Sequence, residues 1–270
     1  MRQSDALFCH TRDLPFLVEE VLSKVKKAYG DYKVLAVGVS DTPRRQEGSY
    51  MPCFLAGVNA AKCAASLLDA PLLTFSHQEG HIEAVRCGSE RTFSENEFYA
   101  FHLSGGTTEF LRVTDEGSRY RAEVVAEALD LTCGQLIDRC GVKLGLSFPA
   151  GKELESLAAK SDKTYKIRIP KKEKGINLSG FENKFDKMLE EGETPENLAK
   201  YVFDVVKEAI LALLSFGEGE KTVLFSGGVT SSYLLKNALE KENFIFAAPE
   251  FTADNAIGTA FLTKKGRENG

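Results

Sequence analysis

Two turns of the same composition, Ser104-Gly105-Gly106 and Ser226-Gly227-Gly228, each follow an apolar run of strand character. Paired glycines tolerate the φ > 0 geometry of a tight loop and let backbone N–H groups approach a phosphate. One such turn is an ordinary connection. Two in equivalent places of one half point to repeated strand–loop–helix units, an α/β architecture, with a nucleotide held in an interlobe cleft. Around them, 98–103, 109–114 and 121–127 read as a three-stranded meander and 132–144 as a helix. A long helix over 198–214, a buried strand over 222–225, a helix over 231–239, a strand over 244–248 and a helix over 255–265 follow. The N-terminal half reads as helix 15–27, strand 33–40, polar loop 41–50, helix 54–68, strand 72–75 and a further helix. In the first of these, an amphipathic helix, Pro15 sits in the opening turn and Val18, Val21, Leu22 and Val25 share one face, with Leu14 just ahead able to pack beneath them. The second half thus carries an opening meander that the first lacks. If the halves are duplicates, the first lobe is incomplete, and the strand over 34–39 is left as an apolar edge. The expected division is a partial N-terminal lobe, 1–97, and a C-terminal lobe, 98–270.

At 270 residues the chain can bury a sizeable core in one large domain or two lobes. Its net charge of −5 excludes a global field drawing it to nucleic acid or anionic membrane, leaving only local basic patches. No run approaches the ~18 apolar residues of a membrane span, and the first residues do not open a signal peptide. Six scattered cysteines without a Cys-x-x-Cys read as thiols of a reducing cytoplasm.

Individual residues add candidate chemistry. His77 and His81 lie four apart, on one face if the segment is helical, where two imidazoles can share a metal ion. Ser76 before them is a natural N-cap at a strand-to-helix corner, where α/β ligands collect. Glu79 falls ~200° around that helix from His77, away from the metal face, which argues against a His-Glu-x-x-His protease. Asp138 reads either as a surface charge or as a ribose ligand. Gly151 allows close backbone approach, and Asp254 reads as a helix cap or a carboxylate ligand. Lys163, Lys166, Arg168, Lys171, Lys172 and Lys174 surround a short strand over 165–169, read as a solvated hairpin or an RNA-contacting arm.

Taken in order, Ser76-His77-Gln78-Glu79-Gly80-His81, Leu103-Ser104-Gly105-Gly106-Thr107-Thr108, Gly134-Gln135-Leu136-Ile137-Asp138, Phe148-Pro149-Ala150-Gly151, Ser226-Gly227-Gly228-Val229 and Thr252-Ala253-Asp254-Asn255 resemble the motifs of the TsaD family. These are tRNA threonylcarbamoyltransferases once described as O-sialoglycoprotein endopeptidases. The resemblance covers nearly the whole chain and implies the two-lobed actin/Hsp70/sugar-kinase-like fold. It implies one divalent metal, iron or zinc, on His77, His81 and Asp254. It also implies an ATP, AMP or threonylcarbamoyl-adenylate site. Ser104, Gly105, Gly106 and Thr107 would form its phosphate loop, Asp138 and Gly151 its ribose and nucleoside contacts, and Gly227, Gly228 and Ser232 its adenosine side. The implied reaction carries the threonylcarbamoyl group to N6 of a tRNA adenosine. The implied partners are tRNA and either a TsaB-like protein or a second copy. The alternatives are a non-catalytic TsaB-like scaffold and, less favoured, a metalloprotease.

Departures from the family pattern are specific. Thr107 stands where the family has His, Ser232 where it has Asn, and Asp41-Thr42-Pro43-Arg44 where it has Gly-Pro-Gly. The family's opening acidic-Thr-Ser phosphate loop has no counterpart, which weighs against full activity. The chain thus resembles a divergent TsaD paralogue lacking the N-terminal strands.

Overall fold

A computed structural model describes residues 3–89, 91, 93–252 and 256–268. Its elements in chain order are α1 (Gln3–Tyr29), β1 (Val37–Thr42), α2 (Phe54–Leu67), β2 (Leu72–Ser76), α3 (His77–Cys87), β3 (Glu97–Leu103), β4 (Thr108–Asp115) and β5 (Tyr120–Ala128). There follow α4 (Cys133–Lys143), α5 (Gly151–Ala158), β6 (Lys171–Lys172), β7 (Gly175–Ile176), α6 (Ser179–Glu190) and α7 (Pro195–Leu214). The chain closes with β8 (Val223–Ser226), a 3-10 turn (Gly228–Ser231), α8 (Tyr233–Ala238), β9 (Phe244–Phe246), α9 (Pro249–Thr252) and α10 (Ile257–Glu268). Two compact units result. One comprises 1–87, 115–121 and 255–270, and the other 88–114 and 122–254.

In the first unit β1 pairs with β2 in parallel, with Val37 opposite Leu72 and Gly38 opposite Leu73. Helix α10 lies against this pair so closely that a Cβ on Gly38 would meet Thr263 Oγ1 at 1.7 Å. Helices α3 and α10 also cross in near contact, since a Cβ on Gly258 would stand 1.8 Å from the Gly80 carbonyl oxygen. Two expectations are corrected here. The first strand runs over Val37–Thr42 rather than 33–40, and every residue in it is half-buried, because β2 is its one neighbour among the described residues. Helix α1 begins twelve residues earlier than expected, so Pro15 lies inside it. On its apolar face Val18, Val21 and Leu22 are exposed. The helix is held instead by its first half, where His10 Nδ1 lies 3.1 Å from the Cys53 carbonyl oxygen.

The second unit is built on a seven-stranded sheet in the order β6-β7-β5-β4-β3-β8-β9. Strands β3 and β4 are antiparallel, while β3, β8 and β9 run parallel. Alternate inward positions put aromatic rings in a continuous row across four strands: Tyr99 stacks on Phe110, Phe110 on Phe101, Phe101 on Phe225 and Phe225 on Phe246, with centroids 4.3–5.1 Å apart. Helix α7 starts at a Thr194 N-cap followed by Pro195, as a helix start favours. It packs Leu198, Tyr201, Val202, Val205, Val206, Ala209 and Leu213 fully into the core. The segment 165–169, expected to be a strand, is extended backbone outside the sheet. The ladder bonds are made by the short hairpin β6–β7 just after it.

Candidate functional site

Register fixes the glycine loops. Strands β3 and β8 pair in parallel through Tyr99–Val223 to His102–Ser226, so both end at the same edge of the sheet. Ligands of open α/β sheets gather at these carboxyl ends. The Ser104 loop leaves β3 and the Gly227 loop leaves β8. A Cβ on Gly227 would lie 2.3 Å from the Leu103 carbonyl oxygen, and its φ is +93°, so only glycine lets the second loop pass against the first.

Within the first loop the Ser104 hydroxyl accepts from the N–H groups of Gly106 and Thr107, at 3.3 and 3.1 Å, and the Ser104 N–H donates to the Thr107 carbonyl at 2.8 Å. The turn is therefore self-supporting. Gly105 and Gly106 are exposed, and a Cβ on either would meet nothing within 4 Å. The N-terminus of α4 is pressed onto the same loop. A Cβ on Gly134 would come within 2.4 Å of the Ser104 carbonyl oxygen, and Thr132 Oγ1 donates to the Gly105 carbonyl at 3.0 Å. Thr132 is also the N-cap of α4, in a reciprocal capping box with Gln135. A glycine loop and a helix N-terminus side by side present the partial positive charge that favours an anion.

Farther along α4, Asp138 Oδ1 accepts from the Ala150 N–H at 2.9 Å, which ties the half-buried carboxylate to the turn preceding Gly151. Ser232 is the N-cap of α8. Its hydroxyl accepts from the Leu235 N–H at 3.2 Å and donates to Glu155 Oε1 at 2.5 Å. Glu155 also accepts from the Leu234 N–H at 3.0 Å, so this carboxylate on α5 fixes the start of α8. Sequence reading does not single out Glu155, because nothing in local spacing links it to a residue 77 positions away. Ser104, Gly105, Gly106, Thr107, Asp138, Gly151, Gly227, Gly228 and Ser232 all lie in the second unit.

The histidines lie in the first unit. Helix α3 brings His77 and His81 together with their Nε2 atoms 3.0 Å apart, and His81 is buried. The expected iron or zinc centre is not supported. Among the described residues no group of three or more His, Cys, Asp or Glu could hold a metal ion. Two imidazoles fall short of the three protein ligands of a catalytic zinc, so these residues do not fit the group. Asp254, the expected third ligand, lies outside the described residues. Glu79 points elsewhere, as its position on the helix requires. Its carboxylate accepts from the Ser76 N–H and hydroxyl, at 2.6 and 2.8 Å, while the Glu79 N–H donates to Ser76 Oγ at 3.2 Å. Arg45 Nε lies 3.3 Å from the same carboxylate. Glu79 is thus half of a capping box for α3 and not the base of a protease.

No described helix is long and apolar enough to cross a membrane. The profile of the family described as "TsaD: tRNA N6-adenosine threonylcarbamoyltransferase" matches residues 5–261. The chain is 29% identical over 245 residues to the tRNA N6-adenosine threonylcarbamoyltransferase of Bacillus subtilis (strain 168), covering 86% of this chain and 67% of that protein. It is 30% identical over 249 residues to the protein of that name from Dictyoglomus turgidum, covering 87% and 70%. Among solved structures, T.kodakarensis HypF aligns with a TM-score of 0.63 at 17% identity, over 79% of this chain and 39% of that longer one. The fold is accordingly the α/β architecture of the actin/Hsp70/sugar-kinase class. With the family profile spanning 5–261, the chain belongs to the TsaD family of tRNA-modifying acyltransferases.

Proposed function

We propose that this chain binds an adenylate on the second unit and passes its threonylcarbamoyl group to N6 of a tRNA adenosine. The observation that carries the reading is the adjacency of the Ser104 and Gly227 loops at the carboxyl ends of β3 and β8, backed by the α4 N-terminus. Exposed Gly105 and Gly106, with nothing within 4 Å of where a Cβ would stand, leave room for an adenylate phosphate beside the α4 N-terminus, while the Asp138 carboxylate suits a ribose hydroxyl. In the transfer, N6 attacks the carbamoyl carbonyl carbon and the bond from that carbon to the phosphate oxygen breaks. AMP leaves with the bonding electron pair, and N6 loses its proton. Charge that builds on the leaving phosphate is stabilised by the partial positive charge of the α4 N-terminus, which is already oriented before the reaction. The six free thiols support action in a reducing cytoplasm.

The experiment is a transfer assay with threonylcarbamoyl-adenylate and a tRNA transcript, together with calorimetry of AMP binding. Transfer together with AMP binding supports the reading. AMP binding without transfer, even in the presence of a TsaB-like protein, leaves a nucleotide-binding scaffold in its place.

A further inference from the structure

We propose that the extended segment 164–170, with the β6–β7 hairpin, forms a rigid basic ridge that grips the sugar–phosphate backbone of RNA. The inference rests on the transferase reading for its choice of RNA, and on the ridge itself for its location. Along 165–169 the side chains alternate. Tyr165 and Ile167 pack against the core, Ile169 lies within it, and Lys166 and Arg168 point to solvent. Two residues of extended chain separate neighbouring outward side chains by about 6.5–7 Å, a spacing suited to successive phosphates along a strand.

The cations divide into committed and available groups. Lys163 pairs with Glu193, Lys171 donates to Ser215 Oγ at 2.8 Å, and Lys172 lies within 3.0 Å of the Asn177 carboxamide. Among the described residues no carboxylate pairs with Lys166, Arg168 or Lys174, and all three are exposed. In a chain of net charge −5, exposed cations without a carboxylate partner make a local field of the opposite sign.

The ridge is anchored to the frame that carries the glycine loops. The Tyr165 N–H donates to Asp204 on α7 at 3.1 Å. Gly175 lies so close to β5 that a Cβ would fall 1.9 Å from the Glu127 carbonyl oxygen. Asp130, between β5 and α4, accepts from the Leu178 N–H at 2.7 Å and from the Ser179 hydroxyl at 2.5 Å. A preorganised set of cations loses little entropy on binding. An anionic membrane is the weaker partner, because no large apolar side chain between 149 and 232 is exposed to enter the bilayer.

The test uses the full chain and a tRNA transcript with fluorescence anisotropy at several salt concentrations. Lys166→Gln/Arg168→Gln/Lys174→Gln should weaken binding at least tenfold at low salt. It should also flatten the plot of log affinity against log salt by about 2–3, since each lost phosphate contact removes ~0.7–0.9. AMP affinity should not change in this variant, and Lys24→Gln/Lys26→Gln/Lys27→Gln on α1 should bind tRNA as the wild type does. Unchanged tRNA affinity and salt slope in the ridge variant overturn the proposal. So does wild-type protein that binds phosphatidylserine vesicles through these residues but not tRNA. A wild type that transfers threonylcarbamoyl while the ridge variant binds tRNA normally removes the ridge and leaves the transferase. A wild type with no transfer whose tRNA binding still falls in the variant does the reverse.

Discussion

Lys265 Nζ lies 2.8 Å from the carboxylate of Glu83, a side chain with no exposed surface and 182 residues away in the sequence. Tyr120 donates its hydroxyl to the same oxygen, and Cys87 Sγ lies 3.0 Å from the other. Arg86 pairs with Asp115 and reaches the Tyr120 hydroxyl at 3.1 Å. This cluster joins α3, α10 and the facing ends of β4 and β5 within the first unit, because a buried carboxylate needs several donors around it.

Removing one member leaves the others buried without a partner. Lys265→Met should lower stability by about 3–5 kcal/mol, because it leaves the Glu83 carboxylate fully buried without its cation, and Glu83→Ala by less, because the lysine it leaves behind is partly exposed. Replacing both, as Glu83→Leu/Lys265→Met, should recover part of the loss. Urea unfolding followed by circular dichroism checks the order; a double variant less stable than Lys265→Met would contradict it.

The helix crossing at Gly258 has no room for a side chain. Gly258→Ala should cost about 3 kcal/mol, the upper end of overpacking penalties, because its methyl would meet backbone rather than a side chain able to swing away. A thermal midpoint equal to that of the wild type would show that α3 and α10 are not in this contact in solution.

Gly134→Ala places a methyl against the Ser104 carbonyl, so the first glycine loop or the start of α4 must shift. AMP affinity should fall at least tenfold, with a smaller effect on unfolding. Calorimetry reads this directly. Ser147→Ala, on an exposed turn, is the control.

Burial pushes the thiols of Cys133 and Cys140 up to about 12, and burial with the neighbouring Glu83 does the same for Cys87. A raised folded value means that the unfolded chain loses these protons first. The contribution to stability is therefore complete below pH ~9 and is lost as the pH rises from there towards 12. Burial, with Glu83, also raises the Tyr120 hydroxyl, which acts in the same direction above pH ~10. Stability should thus decline on the alkaline side, as pH-dependent unfolding would reveal. At pH 8 a disulfide reagent should label exposed Cys63 quickly, and Cys133 and Cys140 only after unfolding.

Local pattern was enough for much of the second unit. The apolar run of β3, the Thr132 capping box and the paired glycines are all short-range signals, and they locate the loops at strand ends. The same holds for Glu79, whose helical offset from His77 already turned it from the face that carries the two histidines. The apolar stripe of α1 misleads for the opposite reason: periodicity shows that a face is apolar, not that something covers it.

What the sequence determined by itself was most of the strands and helices around the two Ser-Gly-Gly loops and the family they resemble, since each is written in residues near one another. What only the tertiary structure decided was which groups meet. The Glu83–Lys265 pair, the Glu155 brace under Ser232, the glycine crossings at Gly134 and Gly258, and the missing third ligand beside His77 and His81 among the described residues all depend on chain segments far apart in sequence. Burial and close approach are properties of the packed molecule, and no local spacing encodes them.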